Sequence, residues 1–405
     1  MDSRIPAPVP AHTDAMKRVV GRLREIGFDE KHCGERLGKI ENLPDFAGSQ
    51  VARPYLRPSP DLLDIAITLF LMNEKISFEQ AGQLFPGSDL DALRTMSLVE
   101  VNRREVYSRL NLLPCYGSYL ATDRSSFGPN ENPGISRVMW LYQESYILGG
   151  LVDRTTRLPS ALDLGTGSGI HALLASQHCD HAVGVDINPR AITFSKFNQR
   201  LNDRSNLEYL LGDLYTPVAG RRFDLILANP PYNPSPLVAA GADYWSGGLS
   251  GEEILGRIFG GIHAHLTETG ICHIITLLCH QKAGPIYRQK LDSWLVGGIR
   301  RYDIMAQVME HQYYVANADS EALRTFLRRH FSRFEFGVIS IRRSPERPGF
   351  YYHGLPRAAP PLFDENGRFG MAINHSFFDA CKAEMDGGGV SDLPSRGPAV
   401  PADLA

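Results

Sequence analysis

Short apolar runs alternate with amphipathic stretches along the chain from Ser160 onwards. Apolar runs of roughly four to eight residues are typical of buried strands, and the stretches between them have helical periodicity. This alternation predicts a doubly wound α/β fold with a mostly parallel, seven-stranded sheet. The expected strands are 161–164, 182–185, 207–211, 223–228, 271–278, 302–308 and 334–342, and the expected helices begin near Gly169, Pro189, Gly251, Gly284 and Ser320.

Helical periodicity replaces this alternation in the first part of the chain. Apolar residues at helical spacing predict an amphipathic helix over 14–27. Three further helices are expected: an apolar one over 62–72, one that opens with the capping box Ser77-Phe-Glu-Gln80, and one over 88–96. A β-hairpin over 99–113 follows them. Three helices followed by a hairpin is the order of a winged-helix module.

Changes in composition divide the chain into five expected parts. They are a flexible lead-in at 1–13, an N-terminal helical, winged-helix-like substrate domain at 14–123, a linker or flap at 124–136, the α/β domain at 137–343 and a C-terminal extension at 344–405. The end of this extension is rich in Gly, Pro, Ser and Asp, so we expect disorder from about residue 386.

The charge of the chain is balanced, with 42 basic and 45 acidic residues and a net charge of −3 at pH 7. This balance excludes a strongly cationic nucleic-acid-binding protein but not a local basic face. The third helix of the predicted winged-helix module carries Asp89, Asp91 and a single Arg94, where a DNA-binding module presents basic residues. We therefore expect this domain to shape the substrate entrance, and nucleic acid ranks below other partners.

Neither the cysteines nor the histidines have the spacing of a metal site. The six cysteines include no C-x-x-C pair and predict reduced, buried thiols of a cytosolic protein. His263, His265, His273 and His280 lack carboxylate or thiol partners at metal-binding spacing, so we expect no metal. The first ten residues lack the apolar core of a signal peptide, and the longest apolar runs are too short to span a bilayer. We expect a soluble, cytoplasmic protein without membrane contact.

A glycine-rich turn follows the first strand of the α/β pattern and opens its first helix. Gly165, Gly167 and Gly169 in Asp163-Leu-Gly-Thr-Gly-Ser-Gly169 allow a tight turn and a close approach of a ligand to the backbone. Asp186 ends the second strand, where an acid can accept hydrogen bonds from both hydroxyls of a ribose. A nicotinamide dinucleotide and S-adenosylmethionine fit this pattern equally well.

Three further positions favour S-adenosylmethionine over a nicotinamide dinucleotide. Asp163 precedes the glycines, where a carboxylate suits an ammonium group better than a pyrophosphate. Asp213 ends the third strand, where it can accept a hydrogen bond from an adenine amino group. After the fourth strand, Asn229-Pro230-Pro231-Tyr232 forms a stiff turn with few free donors. It offers an amide oxygen, a carbonyl and an aromatic face to a planar group that carries an N–H₂.

The sequence resembles the class I S-adenosylmethionine-dependent methyltransferases over roughly 138–278, and their N-methylating branch in particular. The order D-x-G-x-G-x-G, acid, acid and N-P-P-Y carries this resemblance. Within the branch it is most similar to the release-factor glutamine methyltransferases, whose Gly-Gly-x-x-Gly stretch is matched within 244–251. Of the family's Arg-Pro-x-x-Glu segment only the acid is present, at Glu144, and the N-terminal region does not resemble the family's helical bundle.

The resemblance implies a Rossmann-like methyltransferase domain at 137–343, S-adenosyl-L-methionine as cofactor, and a role for each matching residue. Asn229 and the Pro230 carbonyl would hold the target N–H₂, and Tyr232 would stack on its plane. Glu144, Pro231 and Trp245 are further candidates for the acceptor site. The implied cofactor-binding residues are Asp163, Gly165, Gly167, Gly169, Asp186, Asp213 and Asn229.

We expect an N-methyltransferase acting on a planar amide, guanidine or amine nitrogen of a small metabolite, an amino acid or a protein side chain such as glutamine. One alternative is a nucleic-acid base N-methyltransferase. The other is a winged-helix DNA-binding regulator whose methyltransferase fold only senses the cofactor. The Asn229 turn disfavours the regulator, because a sensor needs no grip on an acceptor.

Overall fold

The computed structural model describes residues 7–10, 13–37, 60–124, 137–236, 246–311, 314–316, 318, 320–344 and 348–354. Most of the expected lead-in, the loop from 125 to 136, Trp245 and the extension beyond 354 lie outside these residues. The chain divides into two compact units. Unit 1 is drawn from Met1–Tyr146, Thr166–Gln177 and Ala182–Gly212, and unit 2 from Ile147–Gly165, His178–His181 and Asp213–Ala405. The five-part division expected from the sequence stays a prediction.

The described residues form eleven α-helices and thirteen strands. The helices are α1 (Thr13–Glu25), α2 (Glu30–Leu37), α3 (Leu62–Phe70), α4 (Phe78–Leu84), α5 (Asp89–Thr95), α6 (Gln143–Leu151), α7 (Ile170–Ala175), α8 (Pro189–Leu201), α9 (Glu253–His265), α10 (Tyr287–Trp294) and α11 (Glu321–His330). The strands are β1 (Ile76–Ser77), β2 (Val99–Val101), β3 (Glu105–Ser108), β4 (Asn111–Cys115), β5 (Ser118–Thr122), β6 (Leu158–Leu164), β7 (Cys179–Asp186), β8 (Leu207–Leu211), β9 (Phe223–Ala228), β10 (Leu266–Gln281), β11 (Tyr302–Glu310), β12 (Phe331–Arg343) and β13 (Phe350–Gly354).

The main sheet has the strand order β13-β11-β12-β10-β9-β6-β7-β8. β13 and β11, β10 and β9, β9 and β6, and β7 and β8 pair in parallel, whereas β12 runs antiparallel to both β10 and β11. The doubly wound, mostly parallel sheet is confirmed, and all seven expected strands are present. An eighth strand, β13, joins the edge beside β11, where the sequence pattern had faded.

Unit 1 contains the elements of the winged-helix order. They follow one another as α3, β1, α4, α5, β2 and β3, and the three strands form a sheet in the order β1-β3-β2. The expected capping box opens α4: Ser77 Oγ accepts from the Gln80 N–H at 3.1 Å, and Gln80 Oε1 accepts from the Ser77 N–H at 2.9 Å. On α5, Asp89 pairs with Arg18 at 2.8 Å and Arg94 with Asp91 at 3.6 Å.

Three parts of unit 1 differ from the pattern-based expectation. Helix α2 was not expected, and the apolar stretch after Tyr116 is strand β5 of the hairpin β4–β5. Apolar residues over 138–151 predict a helix there, but α6 begins only at Gln143. Ahead of this helix, the Val138 N–H donates to Asp123 Oδ2 at 2.8 Å.

Unit 2 packs a long antiparallel pair beside its parallel strands. β10 and β12 stay in register from Ile271 with Arg342 to His280 with Arg333. Both strands are therefore longer than the apolar runs that predicted them. Among the residues described in the whole chain, no helix has the length and apolar character needed to cross a membrane.

Candidate active site

Two of the predicted site segments lie at the carboxyl ends of neighbouring strands in unit 2. Leu164 of β6 pairs with Ala228 of β9, so Gly165 and Asn229 are the next residues on adjacent strands. Asp163 is only 1% exposed. Gly165 has φ 67°, and a Cβ built on it would meet no described atom within 4 Å. The structure thus brings Asp163, Gly165 and Asn229 to one edge of the sheet, with open space at the glycine.

The turn after β9 presents the groups that the sequence predicted. Pro230 is buried, whereas Asn229, Pro231 and Tyr232 are half-buried. The Asn229 side chain makes no hydrogen bond to any described residue. The Tyr232 ring lies 6.1 Å from the Phe336 ring of β12, at an interplanar angle of 58°. This turn, which we call the acceptor clamp after the role predicted from the sequence, therefore combines an available amide with an aromatic ring held against the sheet.

The segment 246–252 packs on the acceptor clamp and explains the glycines of the Gly-Gly-x-x-Gly stretch. The Gly247 N–H donates to the Asn233 carbonyl and the Ser235 N–H to the Gly248 carbonyl, both at 2.9 Å. Gly251 has φ 78°, and a Cβ there would lie 2.4 Å from the Tyr232 carbonyl oxygen. Any larger residue at Gly251 would push the clamp out of place.

Two further tethers hold this region, and sequence reasoning missed both. Tyr314 Oη donates to Asn233 Oδ1 at 2.7 Å. Glu252, directly after Gly251, accepts from Lys290 Nζ at 2.8 and 3.0 Å and from Tyr287 Oη at 2.5 Å, and all three residues are buried. Glu252 could have been noted as the acid that follows the glycine stretch. No local spacing connects Tyr314 with a residue 81 positions earlier.

The glycine turn and the acid after β7 meet in unit 1. The Gly167 N–H donates to Asp186 Oδ2 and the Asn188 N–H to Asp186 Oδ1, both at 2.8 Å. Gly169 has φ 91°, and a Cβ there would lie 2.6 Å from Tyr209 Oη. Burial raises the pKa of Asp186 above its ordinary value, although the backbone N–H groups of Asn188, Gly167 and Ile187 act to lower it.

Two exposed apolar residues flank this acid and were also missed. Ile187 is 69% exposed and follows β7, and Leu211 is 56% exposed and ends β8. The two strand ends are adjacent, because Asp186 pairs with Leu211 and the Gly212 N–H donates to the Asp186 carbonyl at 2.9 Å. This apolar pair suits the face of a flat ring such as adenine. Exposed apolar residues at strand ends were the signal that could have found it.

Three candidate residues remain: Asp213, Glu144 and Trp245. Asp213, in unit 2, has Oδ2 within 2.5 Å of Arg257 Nη2 from α9, and both side chains are about half exposed. Glu144 lies in the first turn of α6 and is half-buried. Trp245 lies outside the described residues.

The four histidines considered as metal ligands from the sequence have separate structural partners in unit 2. Across the described part of the chain, no group of three or more His, Cys, Asp and Glu side chains is arranged to hold a metal ion. A ring nitrogen of His263 lies 3.2 Å from Tyr302 Oη, and one of His265 lies 2.9 Å from the Arg221 carbonyl oxygen. A ring nitrogen of His273 lies 2.8 Å from Ser340 Oγ, and one of His280 lies 2.7 Å from Glu335 Oε2. Five of the six cysteines are free and buried, and Cys381 is not described.

Comparison with known proteins agrees with this fold. Residues 148–239 match the family model of the methyltransferase small domain. Together with the strand order, the match shows that the chain carries a class I methyltransferase domain, similar to that of the release-factor glutamine methyltransferases.

Three relatives make the similarity more specific. The ribosomal protein uL3 glutamine methyltransferase of Bradyrhizobium diazoefficiens is 36% identical over 141 residues, which are 31% of this chain and 44% of that protein. A protein of Methanocaldococcus jannaschii described as an N5-glutamine methyltransferase is 34% identical over 32% of this chain and 66% of its own length. The release factor glutamine methyltransferase of Aliivibrio fischeri is 36% identical over 19% of this chain and 28% of its own. The chain thus spans less than two thirds of each relative.

Proposed function

We propose that this protein is an S-adenosylmethionine-dependent N-methyltransferase whose acceptor is the side-chain amide of a glutamine in a protein. The observation that carries the proposal is the acceptor clamp: Asn229 follows β9 in register with Gly165, and Tyr232 is held against β12. An available amide oxygen beside a stacking ring suits a neutral, planar N–H₂. The relatives named as glutamine methyltransferases support this choice of acceptor.

The residues present fit the proposed cofactor. Each carboxylate oxygen of Asp186 accepts a hydrogen bond from one backbone N–H and keeps further lone pairs for ribose hydroxyls. Ile187 and Leu211 offer an apolar surface for adenine, and Asp163 a carboxylate for the ammonium group. Asp213, beside Arg257, is the proposed acceptor for the adenine amino group, and Gly167 and Gly169 shape the turn.

When bound, S-adenosylmethionine supplies an electrophilic methyl group on a positively charged sulfur. Asn229 Oδ1 and the Pro230 carbonyl would each accept one N–H of the target amide. These two bonds, with Tyr232 stacked on the amide plane, would turn the nitrogen lone pair away from its carbonyl and aim it. Positioning of this kind accounts for most of the rate, so a strong base is not required. The proton would leave to water after transfer.

The winged-helix elements favour a protein acceptor over a nucleic acid. In a DNA-binding module of this kind the recognition helix presents cations to phosphates. Here the charges of α5 pair with other side chains, since Arg94 lies 3.6 Å from Asp91 and Asp89 is held by Arg18. We therefore place nucleic-acid base methylation second.

Incubation with methyl-labelled S-adenosylmethionine and a lysate separated into protein, nucleic-acid and metabolite fractions tests the proposal. We expect label in the protein fraction. Acid hydrolysis should then release it as methylammonium, which becomes volatile methylamine once base is added, because N5-methylglutamine hydrolyses to glutamate and methylamine. Label confined to the nucleic-acid or metabolite fraction would overturn the proposed acceptor.

A further inference from the structure

Helix α8 turns a polar face towards the strand β5 and its continuation. Arg190, Asn198 and Asn202 are spaced by eight and four residues, which places them on one side of the helix. Their partners are Asp123, Ala121 and Tyr119, every second residue of an extended segment. All of these residues belong to unit 1.

The two asparagines pair with β5 as a neighbouring strand would. Asn202 Oδ1 accepts from the Tyr119 N–H at 2.8 Å, and its Nδ2 donates to the Tyr119 carbonyl at 2.7 Å. Asn198 Oδ1 accepts from the Ala121 N–H at 2.8 Å, and its Nδ2 donates to the Ala121 carbonyl at 3.0 Å. A side-chain amide carries the same donor and acceptor as a peptide group, so each satisfies one residue of the strand edge.

Asn198 makes one contact that Asn202 does not. Its Nδ2 also donates at 2.8 Å to the carbonyl of Ser168, which lies between Gly167 and Gly169 of the glycine turn. Asn198 is 0% exposed and Ser168 3% exposed. This single amide therefore uses both of its N–H groups and its oxygen to join the β4–β5 hairpin to the glycine turn.

A second connection reaches the other cofactor-binding segment. Arg190 donates to both oxygens of Asp123, at 2.5 and 3.2 Å, and Asp123 is fully buried. Arg190 is the second residue of α8, and its own N–H donates to the capping side chain of Asn188 at 2.9 Å. Asn188 in turn donates its N–H to Asp186. The hairpin segment is thus tied to both loops that the proposed cofactor would contact.

We propose that Asn198 is a positioning residue for the cofactor site and that the β4–β5 hairpin is part of the framework of that site. The inference rests on the proposed binding of S-adenosylmethionine. Gly167 and Gly169 have left-handed backbone angles, φ 55° and 91°, and the turn has one internal hydrogen bond, from the Gly169 N–H to the Thr166 carbonyl at 2.8 Å. A buried donor on the Ser168 carbonyl fixes the middle of the turn.

The test compares Asn198→Ala with Asn202→Ala. Both variants lose the paired bonds to one residue of β5, but only Asn198→Ala loses the bond to the glycine turn. S-adenosylmethionine affinity is measured by calorimetry on the full chain, at a temperature where circular dichroism shows both variants folded. We expect Kd to rise at least tenfold in Asn198→Ala and less than threefold in Asn202→Ala. Equal changes in Kd in the two variants would overturn this inference but not the proposed function.

A measurement on the unchanged protein covers the case in which Asn198→Ala does not fold. Addition of S-adenosylmethionine should slow amide hydrogen exchange in the hairpin peptide that contains Ala121, since the turn and the hairpin share one side chain. Exchange that stays the same in that peptide, while the glycine turn becomes protected, would contradict the coupling. A wild-type protein that does not bind the cofactor at all would refute the proposed function as well.

Discussion

Asp186 combines two short backbone hydrogen bonds with a raised pKa. Burial disfavours the carboxylate, and the backbone donors offset this only in part. Because the pKa is higher in the folded protein than in the unfolded chain, this group's contribution to stability is present in acid. It is lost as the pH rises through the raised value. The ionised acid therefore costs stability near neutrality, and ligand hydroxyls that donate to it would offset that cost.

Cofactor affinity should depend on this ionisation. A protonated carboxyl has lost acceptor capacity, so the Kd for S-adenosylmethionine should rise as the pH is lowered, approaching about tenfold per pH unit below the raised pKa. Calorimetric titrations from neutral pH downwards would measure this slope.

Asp186→Asn is the control for this pH dependence. The variant should bind weakly and without the slope, because an amide does not titrate. Wild-type affinity that stays constant with pH would show that Asp186 does not bind the ribose.

Apart from Glu144 and Trp245, the site residues that the sequence predicted share one property: each belongs to a short local motif at the end of a strand. Asp163, Asp186 and Asn229 could be located because the apolar runs before them mark those ends. Tyr314 and Asn198 could not, since each acts on a segment far away in the chain. Ile187 and Leu211 stand out only once their exposure is measured.

Contacts from other segments of the chain hold the acceptor clamp in position. Prolines stiffen its backbone, but its position depends on the segment 246–252 and on Tyr314, whose hydroxyl donates to Asn233. The Tyr314 ring also packs against Phe334, with centroids 4.5 Å apart. The packing survives when only the hydroxyl is removed, which allows the hydrogen bond to be tested separately.

Tyr314→Phe should lower kcat by about fivefold and leave the Kd for S-adenosylmethionine unchanged. A single hydrogen bond contributes roughly 1 kcal/mol, and its loss loosens the residue next to the clamp. Steady-state methyl transfer and calorimetry on the same preparation would separate the two quantities.

Tyr116→Phe is the matched control for Tyr314→Phe. It removes a tyrosine hydroxyl that donates to the Tyr146 carbonyl at 3.0 Å in unit 1 and should leave kcat within about twofold. If both variants lose activity equally, the effect of Tyr314 is one of general stability.

Element prediction succeeded where the apolar pattern is long and failed where tertiary contacts decide. Strands β8 and β9 begin and end where the apolar runs do. Helix α2 was missed because its eight residues bury only Cys33, Gly34 and Leu37, which is too few for a visible period. Helix α6 begins at Gln143, later than its apolar pattern, and nothing in the apolar spacing marks that boundary.

At the scale of the whole molecule, the class of the main sheet followed from strand–helix alternation, because parallel strands require helical crossovers. The additional strand β13 did not, since it is short and comes after the alternation has ended. The acceptor is a property of the whole protein that no local motif specifies. The relatives cover only part of this chain, so the acceptor requires direct measurement.

The most direct test of the account is methyl transfer by Asn229→Ala, measured beside the affinity of the same preparation for S-adenosylmethionine. If Asn229 holds the acceptor nitrogen, labelled methyl transfer to the protein fraction should fall by about 100-fold or more, as when one positioned polar group is removed from a catalytic site. The Kd should rise by no more than about threefold, because Asn229 is one of seven implied cofactor-binding residues and the glycine turn and Asp186 are intact. Transfer at the wild-type rate by Asn229→Ala would contradict the acceptor clamp and the function proposed from it.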